Sequence, residues 1–348
     1  MPDLTTHYLG LRLRSPIVAS PGPLTGHLDK LTELSDAGIG AVVLPSLFQE
    51  QIEHETTEID RLFSIHEYSF GEAGSFFPEV DGYNTGSDAY LALIEAARSR
   101  VDVPVLASLN GANIGGWLRY AKLLEDAGAD AMELNIYVVA ADPAVSAASL
   151  ESEQLELVAL VVDAVSIPVA VKISPFYTSV AAFALGIQEA GAAGIVMFNR
   201  FYLPDLDLET LDVEPRISLS TQAELRLPLR WIGIMRDYLT ISIAASTGVH
   251  TGRDVAKLVL AGADVAMTTS ALLHHGASRV RAVTDELIEW MGEHHYRSVD
   301  EMRGAVSRDS AADPSAYERA NYIGNLTSYT SRFIGATPIA LRRTGSWR

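Results

Sequence analysis

Cysteine is absent from this chain of 348 residues. Without thiols the chain forms no disulfides, and it has neither thiolate ligands for a metal or iron–sulfur cluster nor a cysteine nucleophile. Basic residues are also scarce, because 26 lysines and arginines face 44 acidic residues, which gives a formal net charge of −18. So acidic a chain is a poor ligand for nucleic acid or an anionic membrane. We therefore predict no metal site, no nucleic-acid partner and no membrane partner.

Long apolar runs are missing as well. No stretch approaches the roughly 20 apolar residues that span a bilayer, and the opening MPDLTTHYLGLRLRSP has no apolar signal core. We expect a soluble cytoplasmic protein. With 48% hydrophobic and 20% charged residues, the chain has ample material for one large core.

A repeated phrase organises the chain: Ala-Gly, then a small residue, then an apolar strand. Because Gly adopts the left-handed conformation at helix ends without strain, each copy predicts the end of a helix and the start of a strand. The copies lie at 37–44, 127–134, 190–197 and 261–267. Two other strands open with Val103-Pro104-Val105 and Ile167-Pro168-Val169. Pro is tolerated at the first residue of a strand.

Eight apolar segments alternate with helical patterns such as 86–100, 115–127 and 151–165. Most are continuous apolar runs, as expected of strands buried on both faces. This alternation predicts an α/β protein with a parallel (β/α)8 TIM barrel. A doubly wound sheet is the alternative, but no GxGxxG follows the first strand. The predicted strands are 16–20, 40–46, 104–109, 131–136, 168–173, 194–199, 241–246 and 264–269.

Four segments extend this barrel. Residues 4–14 are expected to form a hairpin that closes the barrel bottom, and insertions follow strand two (50–83) and strand six (200–230). Long loops at the carboxyl ends of barrel strands usually build the active-site wall. We predict a barrel domain over residues 1–305. The C-terminal tail, 306–348, includes a helical, aromatic run and would pack on the barrel or on a partner chain.

The most informative stretch runs from Tyr238 to His275 and reads as two strand–loop–helix units. Small, hydroxylated residues end both strands: Ser246-Thr247-Gly248 and Thr268-Thr269-Ser270. Small residues let backbone amides approach a ligand, and helix starts favour negative charge. Loops after strands seven and eight often bind phosphate in barrels. We predict a phosphate cup here, with ordinary turns as the alternative.

Lys172 lies inside an apolar strand, VAVKIS. Burying an ammonium group is costly unless it meets an anion or a polar cofactor edge. Three interpretations stay open: contact with a cofactor or substrate, the Schiff base of an aldolase, or an ion pair with Glu133. Asn84, Asn135 and Asn199 suit the edge of a planar, amide-like ring, although turn or cap positions would also explain them.

Taken in order, several phrases resemble the dihydroorotate dehydrogenase family, near its soluble class 1 enzymes, over residues 3–305. The matching phrases are LRLRSPIVAS, Tyr83-Asn84-Thr85-Gly86, Glu133-Leu134-Asn135, Val169-Ala170-Val171-Lys172, Phe198-Asn199-Arg200, Thr247-Gly248, Thr251-Gly252-x-Asp254 and Gly262-Ala263-Asp264. The resemblance implies an FMN-dependent oxidoreductase that transfers hydride at a C–C bond of a small planar acid, dihydroorotate, orotate or an analogue, in pyrimidine biosynthesis. The fold class favours a homodimer, and an electron-transfer protein is one of the electron acceptors left open.

The resemblance also assigns roles to residues. Lys172 would contact the polar edge of the flavin, and Asn84, Asn135 and Asn199 would bind substrate. The remaining FMN-binding positions would be Ala19, Ser20, Gly22, Ser46, Asn135, Ser246, Thr247, Gly248, Thr269 and Ser270.

Three positions depart from the family's pattern. The catalytic base of the loop after strand four falls on Val138, a second asparagine of that loop on Ala140, and a lysine after strand two on Pro45. Tyr137 and Lys172 are then the predicted catalytic residues, with Tyr137 a better proton donor than base because its ordinary pKa is about 10. The alternatives are a phosphosugar aldolase or lyase that uses Lys172, and a flavin-binding barrel without dehydrogenase activity.

Overall fold

The computed structural model describes residues 1–48, 87–110, 114–136, 138–200, 203–214 and 217–318. Eight parallel strands form a closed barrel: β3 (Ile17–Ala19), β4 (Ala41–Phe48), β5 (Val105–Asn110), β6 (Ala131–Asn135), β7 (Val169–Ile173), β8 (Gly194–Met197), β11 (Ser242–Ser246) and β12 (Val265–Thr268). Their order around the barrel is β11-β12-β3-β4-β5-β6-β7-β8. The predicted TIM barrel is therefore confirmed.

Helices surround the barrel and connect its strands. Within the described ranges they are α1 (Leu28–Asp36), α2 (Ser87–Arg100), α3 (Ile114–Asp126), α4 (Ala147–Ala164), α5 (Val180–Glu189), α6 (Arg226–Met235), α7 (Gly252–Ala261), α8 (Ser270–His275), α9 (Ser278–Glu293) and α10 (Val299–Met302). None of the described helices is long and apolar enough to cross a membrane.

The repeated Ala-Gly phrase does end helices as predicted. Gly38, Gly128, Gly191 and Gly262 all have positive φ, between 90° and 127°. This left-handed conformation favours glycine and turns the chain into the next strand. One helix begins earlier than predicted, since α4 starts at Ala147 rather than near 151. The hydroxyl of Ser146 caps it by accepting a hydrogen bond from the Ser149 amide at 3.1 Å.

Two separate apolar clusters hold the barrel together. One lies between the strands and the helices, and the other fills the barrel interior. The interior residues of β6, β7 and β11 are small, Ala131, Ala170 and Ala244. The hairpin of β1 (Thr6–Tyr8) and β2 (Leu11–Leu13) fills the space that they leave, because Tyr8 and Leu9 belong to the interior cluster. The expected hairpin is thus present and plugs the barrel.

The insertion after strand six contains a short ribbon of β9 (Asp205–Leu206) and β10 (Val213–Glu214), followed by a 3-10 turn at Gln222–Leu225. The predicted insertion at 50–83 lies outside the described residues. Part of the tail is described, and its 3-10 turn at Pro314–Tyr317 packs against α6.

A testable consequence concerns Tyr8, whose hydroxyl is fully buried and has no hydrogen-bond partner among the described residues. Burial, with the carboxylates of Glu133 and Asp264, raises the pKa of Tyr8 well above 10. Tyr8 therefore ionises at a lower pH in the unfolded chain than in the folded chain. The free energy of unfolding is unaffected by this ionisation below about pH 10 and decreases as the pH rises further. We predict that Tyr8→Phe stabilises by up to about 1 kcal/mol at pH 7.

Above pH 10 this advantage of Tyr8→Phe should grow, by about 0.8 kcal/mol at pH 10.5. Urea denaturation of both proteins at pH 7 and pH 10.5 measures it. Tyr296→Phe, a half-buried tyrosine outside the barrel, is the control. The difference in the free energy of unfolding between Tyr8→Phe and the unmodified chain should be larger at pH 10.5 than at pH 7. An equal or smaller difference at pH 10.5 would contradict this prediction.

Candidate active site

A cavity of about 480 Å³ opens over the carboxyl ends of the barrel strands. This size is typical of a pocket for a small molecule or cofactor. Its lining combines polar ends of strands with residues of the long loop after β8 and of the shorter loops: Ser20, Pro21, Gly22, Pro23, Ser46, Phe48, Asn110, Asn135, Lys172, Asn199, Arg200, Ile217, Leu219, Ser220, Ser246, Thr247, Gly248, Val249, Met267, Thr268, Thr269, Ser270 and Leu273. Most of the predicted binding residues therefore meet in one place.

Lys172 lies at the end of β7 and is only 5% exposed. Its Nζ is 3.2 Å from Oε1 of Glu133, which is fully buried on β6, and 3.5 Å from the hydroxyl of Ser20. The ion pair that the sequence left as one alternative is thus present. Because Lys172 also lines the cavity, it can contact a ligand at the same time. The second oxygen of Glu133, Oε2, has no partner among the described residues.

Two asparagines form a second polar group on the rim. Asn135 at the end of β6 and Asn199 after β8 are joined by a hydrogen bond of 3.0 Å, in which Asn199 Nδ2 donates to Asn135 Oδ1. This bond fixes both amides. Asn135 keeps a donor group, Nδ2, and Asn199 keeps an acceptor, Oδ1. Side by side, these groups match the N–H and C=O of a planar imide or amide edge.

The loops after β11 and β12 lie together as predicted. Thr247 and Gly248 both have positive φ, 84° and 80°. A Cβ on Gly248 would overlap the backbone nitrogen of Leu225, and one on Gly22 would lie 2.7 Å from Thr269 Cγ2. Glycine at these positions brings three loops close together. The amides of Gly248, Thr269 and Ser270 donate to no acceptor in the described part of the chain.

One element of the predicted cup is not available. Asp254 accepts hydrogen bonds from the amides of His250 and Thr251, and Glu286 accepts one from Gly252 at 2.8 Å. The start of α7 is therefore already capped by carboxylates of this chain and cannot bind an anion as we expected. The free amides of Gly248, Thr269 and Ser270 remain.

The sequence did not single out Ser220, whose hydroxyl and amide bond the Ser270 hydroxyl at 2.8 and 3.0 Å. Arg200 ties the same loop down, because its guanidinium pairs with Glu224 at 3.0 Å and donates to the carbonyl of Ser218. The loop after β8 thus reaches across to the cup. Thr221 and Glu224 form a capping box at the start of the 3-10 turn, and their spacing of three residues is the sequence signal that could have predicted this turn.

The remaining predicted positions divide into three groups. Ser46 lines the cavity and bonds Ser108 at 2.8 Å. Ala19 does not line the cavity, because its side chain packs in the cluster between strands and helices. Asn84 and Tyr137 lie outside the described residues. Asn110, at the end of β5, also lines the cavity and was not among the predicted positions.

A closed parallel barrel with a polar cavity at the carboxyl ends of its strands defines an enzyme-type (β/α)8 barrel. A family model described as dihydroorotate dehydrogenase matches residues 3–291. The chain belongs to the dihydroorotate dehydrogenase family. It is accordingly a dihydroorotate-dehydrogenase-like oxidoreductase, which acts on a small molecule.

Curated relatives agree with this assignment. The catalytic subunit of dihydroorotate dehydrogenase B (NAD(+)) from Endomicrobium trichonymphae is 24% identical over 88% of this chain and 98% of its own length. A putative dihydroorotate dehydrogenase A (fumarate) from Pediococcus pentosaceus is 25% identical over 86% and 98%. The chloroplastic dihydropyrimidine dehydrogenase (NADP(+)) of Arabidopsis thaliana is 24% identical over 87% and 76%.

The ion pair predicts an asymmetry between its two partners. Lys172→Met leaves Glu133 fully buried without a cation, which should cost about 3–5 kcal/mol of unfolding free energy. Glu133→Gln should cost less, about 1–3 kcal/mol, because Lys172 borders the cavity and keeps solvent there. The double variant should recover part of the loss. Urea denaturation of all three variants gives these free energies.

Lys257→Met is the matched control, because that lysine is half exposed on α7 and away from the cavity. It should change stability by no more than about 0.5 kcal/mol. If Lys172→Met were no more costly than Lys257→Met, the buried ion pair would not be part of the folded barrel.

Proposed function

We propose that this chain binds FMN across the carboxyl-end rim and transfers hydride to or from a C–C bond of a small planar acid. The observation that supports this most directly is the position of Lys172. It lines the same cavity as the asparagine pair and the loops of Ser246–Gly248 and Thr269–Ser270. A fixed cation, a donor–acceptor pair and free amides are then all within reach of one ligand.

The residues present fit FMN. The free amides of Gly248, Thr269 and Ser270, with nearby hydroxyls, suit a phosphate. The ammonium of Lys172, held by Glu133 and Ser20, suits the polar edge of the ring system and favours negative charge there. When bound, FMN supplies the hydride chemistry, while the protein supplies position and electrostatics.

On the substrate side, the asparagine pair would orient a planar acid by its amide edge. Asn84 would add a third contact, as the resemblance implies. Val138 is half-buried, is absent from the cavity lining and carries no group that accepts a proton. Oxidation of dihydroorotate by the family's usual base is therefore not expected. We propose instead that Tyr137 donates a proton in a reduction, with orotate or an analogue as acceptor.

The aldolase alternative is weakened by the ion pair. A Schiff-base lysine must attack as the neutral amine. Here Nζ is already engaged by a fully buried carboxylate 3.2 Å away and by the Ser20 hydroxyl at 3.5 Å, so it is not free to attack a carbonyl. We therefore expect no borohydride-trapped adduct on Lys172 with phosphosugars. A flavin-binding barrel without dehydrogenase activity remains the second candidate, and the absence of a base at Val138 is the observation that favours it.

Flavin titration tests the cofactor proposal. We predict that the purified chain binds FMN at least about 100-fold more tightly than riboflavin, because the cup would bind the phosphate by several hydrogen bonds. Quenching of flavin fluorescence measures both affinities. Gly248→Val, which overlaps the backbone of Leu225 and crowds the cup, should abolish the preference, whereas Lys257→Met should leave it unchanged. Equal affinities for FMN and riboflavin in the unmodified chain would refute the cup.

Substrate tests follow from the missing base. Without oxygen, the dithionite-reduced, FMN-loaded chain should be reoxidised by orotate or an analogue faster than the oxidised form is bleached by dihydroorotate. Tyr137→Phe should slow the reoxidation by about 100-fold or more. Absorbance near the flavin's long-wavelength band follows both reactions. If neither compound changes the flavin, the candidate without dehydrogenase activity is favoured.

We also propose that the chain forms a homodimer and passes electrons to or from an electron-transfer protein. The cytoplasmic location stays a prediction.

A further inference from the structure

The insertion after β8 carries an unusual surface. Residues 203–214, which we call the acidic hairpin, are all exposed except Asp207. They carry five carboxylates and no basic side chain. They also display five large apolar side chains that are 63% to 83% exposed, namely Leu203, Leu206, Leu208, Leu211 and Val213. So many exposed apolar residues within one short segment point to an interaction site.

The acidic hairpin has little of its own to stabilise it. Its ladder consists of two residue pairs, Leu206 with Val213 and Asp205 with Glu214. An isolated two-stranded ribbon is marginally stable in water at best, so packing against a second surface would stabilise this one. The surface that fits would be apolar and basic.

The last thirty residues of the chain have that composition. Residues 319–348 contain five arginines and no lysine, aspartate or glutamate, within a chain of net charge −18. Large apolar side chains are interspersed among the arginines, for example Ile323, Leu326, Phe333 and Trp347. The described part of the chain stops just before this segment, at Glu318.

Geometry places the start of this segment within reach. The ring of Tyr317 occupies the space beside Gly233 on α6, and the Arg308 amide donates to the Gly233 carbonyl at 2.8 Å. From Gly233 back to Glu214 the chain covers part of α6 and eleven loop residues, at most about 50 Å. Thirty extended residues span roughly 100 Å. The tail can therefore reach the acidic hairpin of its own chain.

We propose that residues 319–348 dock on the acidic hairpin of the same chain, with arginines against its carboxylates and apolar side chains among its leucines. Charge disfavours two other segments that could pack on the acidic hairpin. Residues 49–86 contain nine acidic residues and one arginine, and the hairpin of a second copy is equally acidic. Ile217, three residues beyond the acidic hairpin, is 72% exposed and lines the cavity.

Hydrogen exchange of the full-length chain, followed by mass spectrometry, tests this docking without any flavin. Amides within 319–348 should exchange at least tenfold more slowly than in an unprotected peptide. Glu209→Arg with Asp212→Arg should remove that protection, and adding Arg342→Glu with Arg343→Glu should restore it. Glu153→Arg with Glu156→Arg, an equal reversal on exposed sites of α4, is the control and should leave it intact.

Protection of the peptides over 241–270 reports in every variant whether the barrel is folded. The proposal is overturned if the tail exchanges at unprotected rates in the unmodified chain, or if the hairpin variant leaves its protection unchanged. Protection that rises with protein concentration would assign the contact to a second copy and would also overturn it.

Discussion

The ion pair between Lys172 and Glu133 can form only inside a barrel that is closed and packed below it. Both side chains come from neighbouring strands, β6 and β7, and both are buried. A cation buried at a cavity floor is stabilised by the carboxylate beneath it. The hairpin of Tyr8 and Leu9 seals the other end of the barrel, and small alanines around it allow this close packing. The polar rim above depends on this arrangement, because it places a fixed positive charge at the cavity floor.

Much of the fold could be predicted because its signals are local. Each Ala-Gly phrase needed a left-handed glycine at a helix end, and continuous apolar runs matched strands covered on both faces. The carboxyl ends of parallel strands meet at one rim, so the residues following each strand converge without any knowledge of the loops. Lys172, Asn135, Asn199 and the two hydroxylated turns were predictable for this reason.

The sequence did not reveal contacts between residues that are far apart in the chain. The cap of α7 by Glu286 comes from a carboxylate 34 residues away on α9, and it occupies the Gly252 amide at a helix start that we expected to favour phosphate. Ser220 meets Ser270 across the fold, and the pair of Arg200 with Glu224 lies in the same long loop. Ala19 turned outward because strand residues alternate between the two faces, and the sequence of a continuously apolar strand does not reveal which face is which.

A crystal structure of the full chain grown with FMN would show whether the rim holds the cofactor. We expect the phosphate within hydrogen-bond distance of the Gly248, Thr269 and Ser270 amides, and the polar edge of the ring against Lys172 Nζ. Glu133 should still hold that lysine. A phosphate bound elsewhere, or a cavity that takes up no FMN at saturating concentration, would contradict the account.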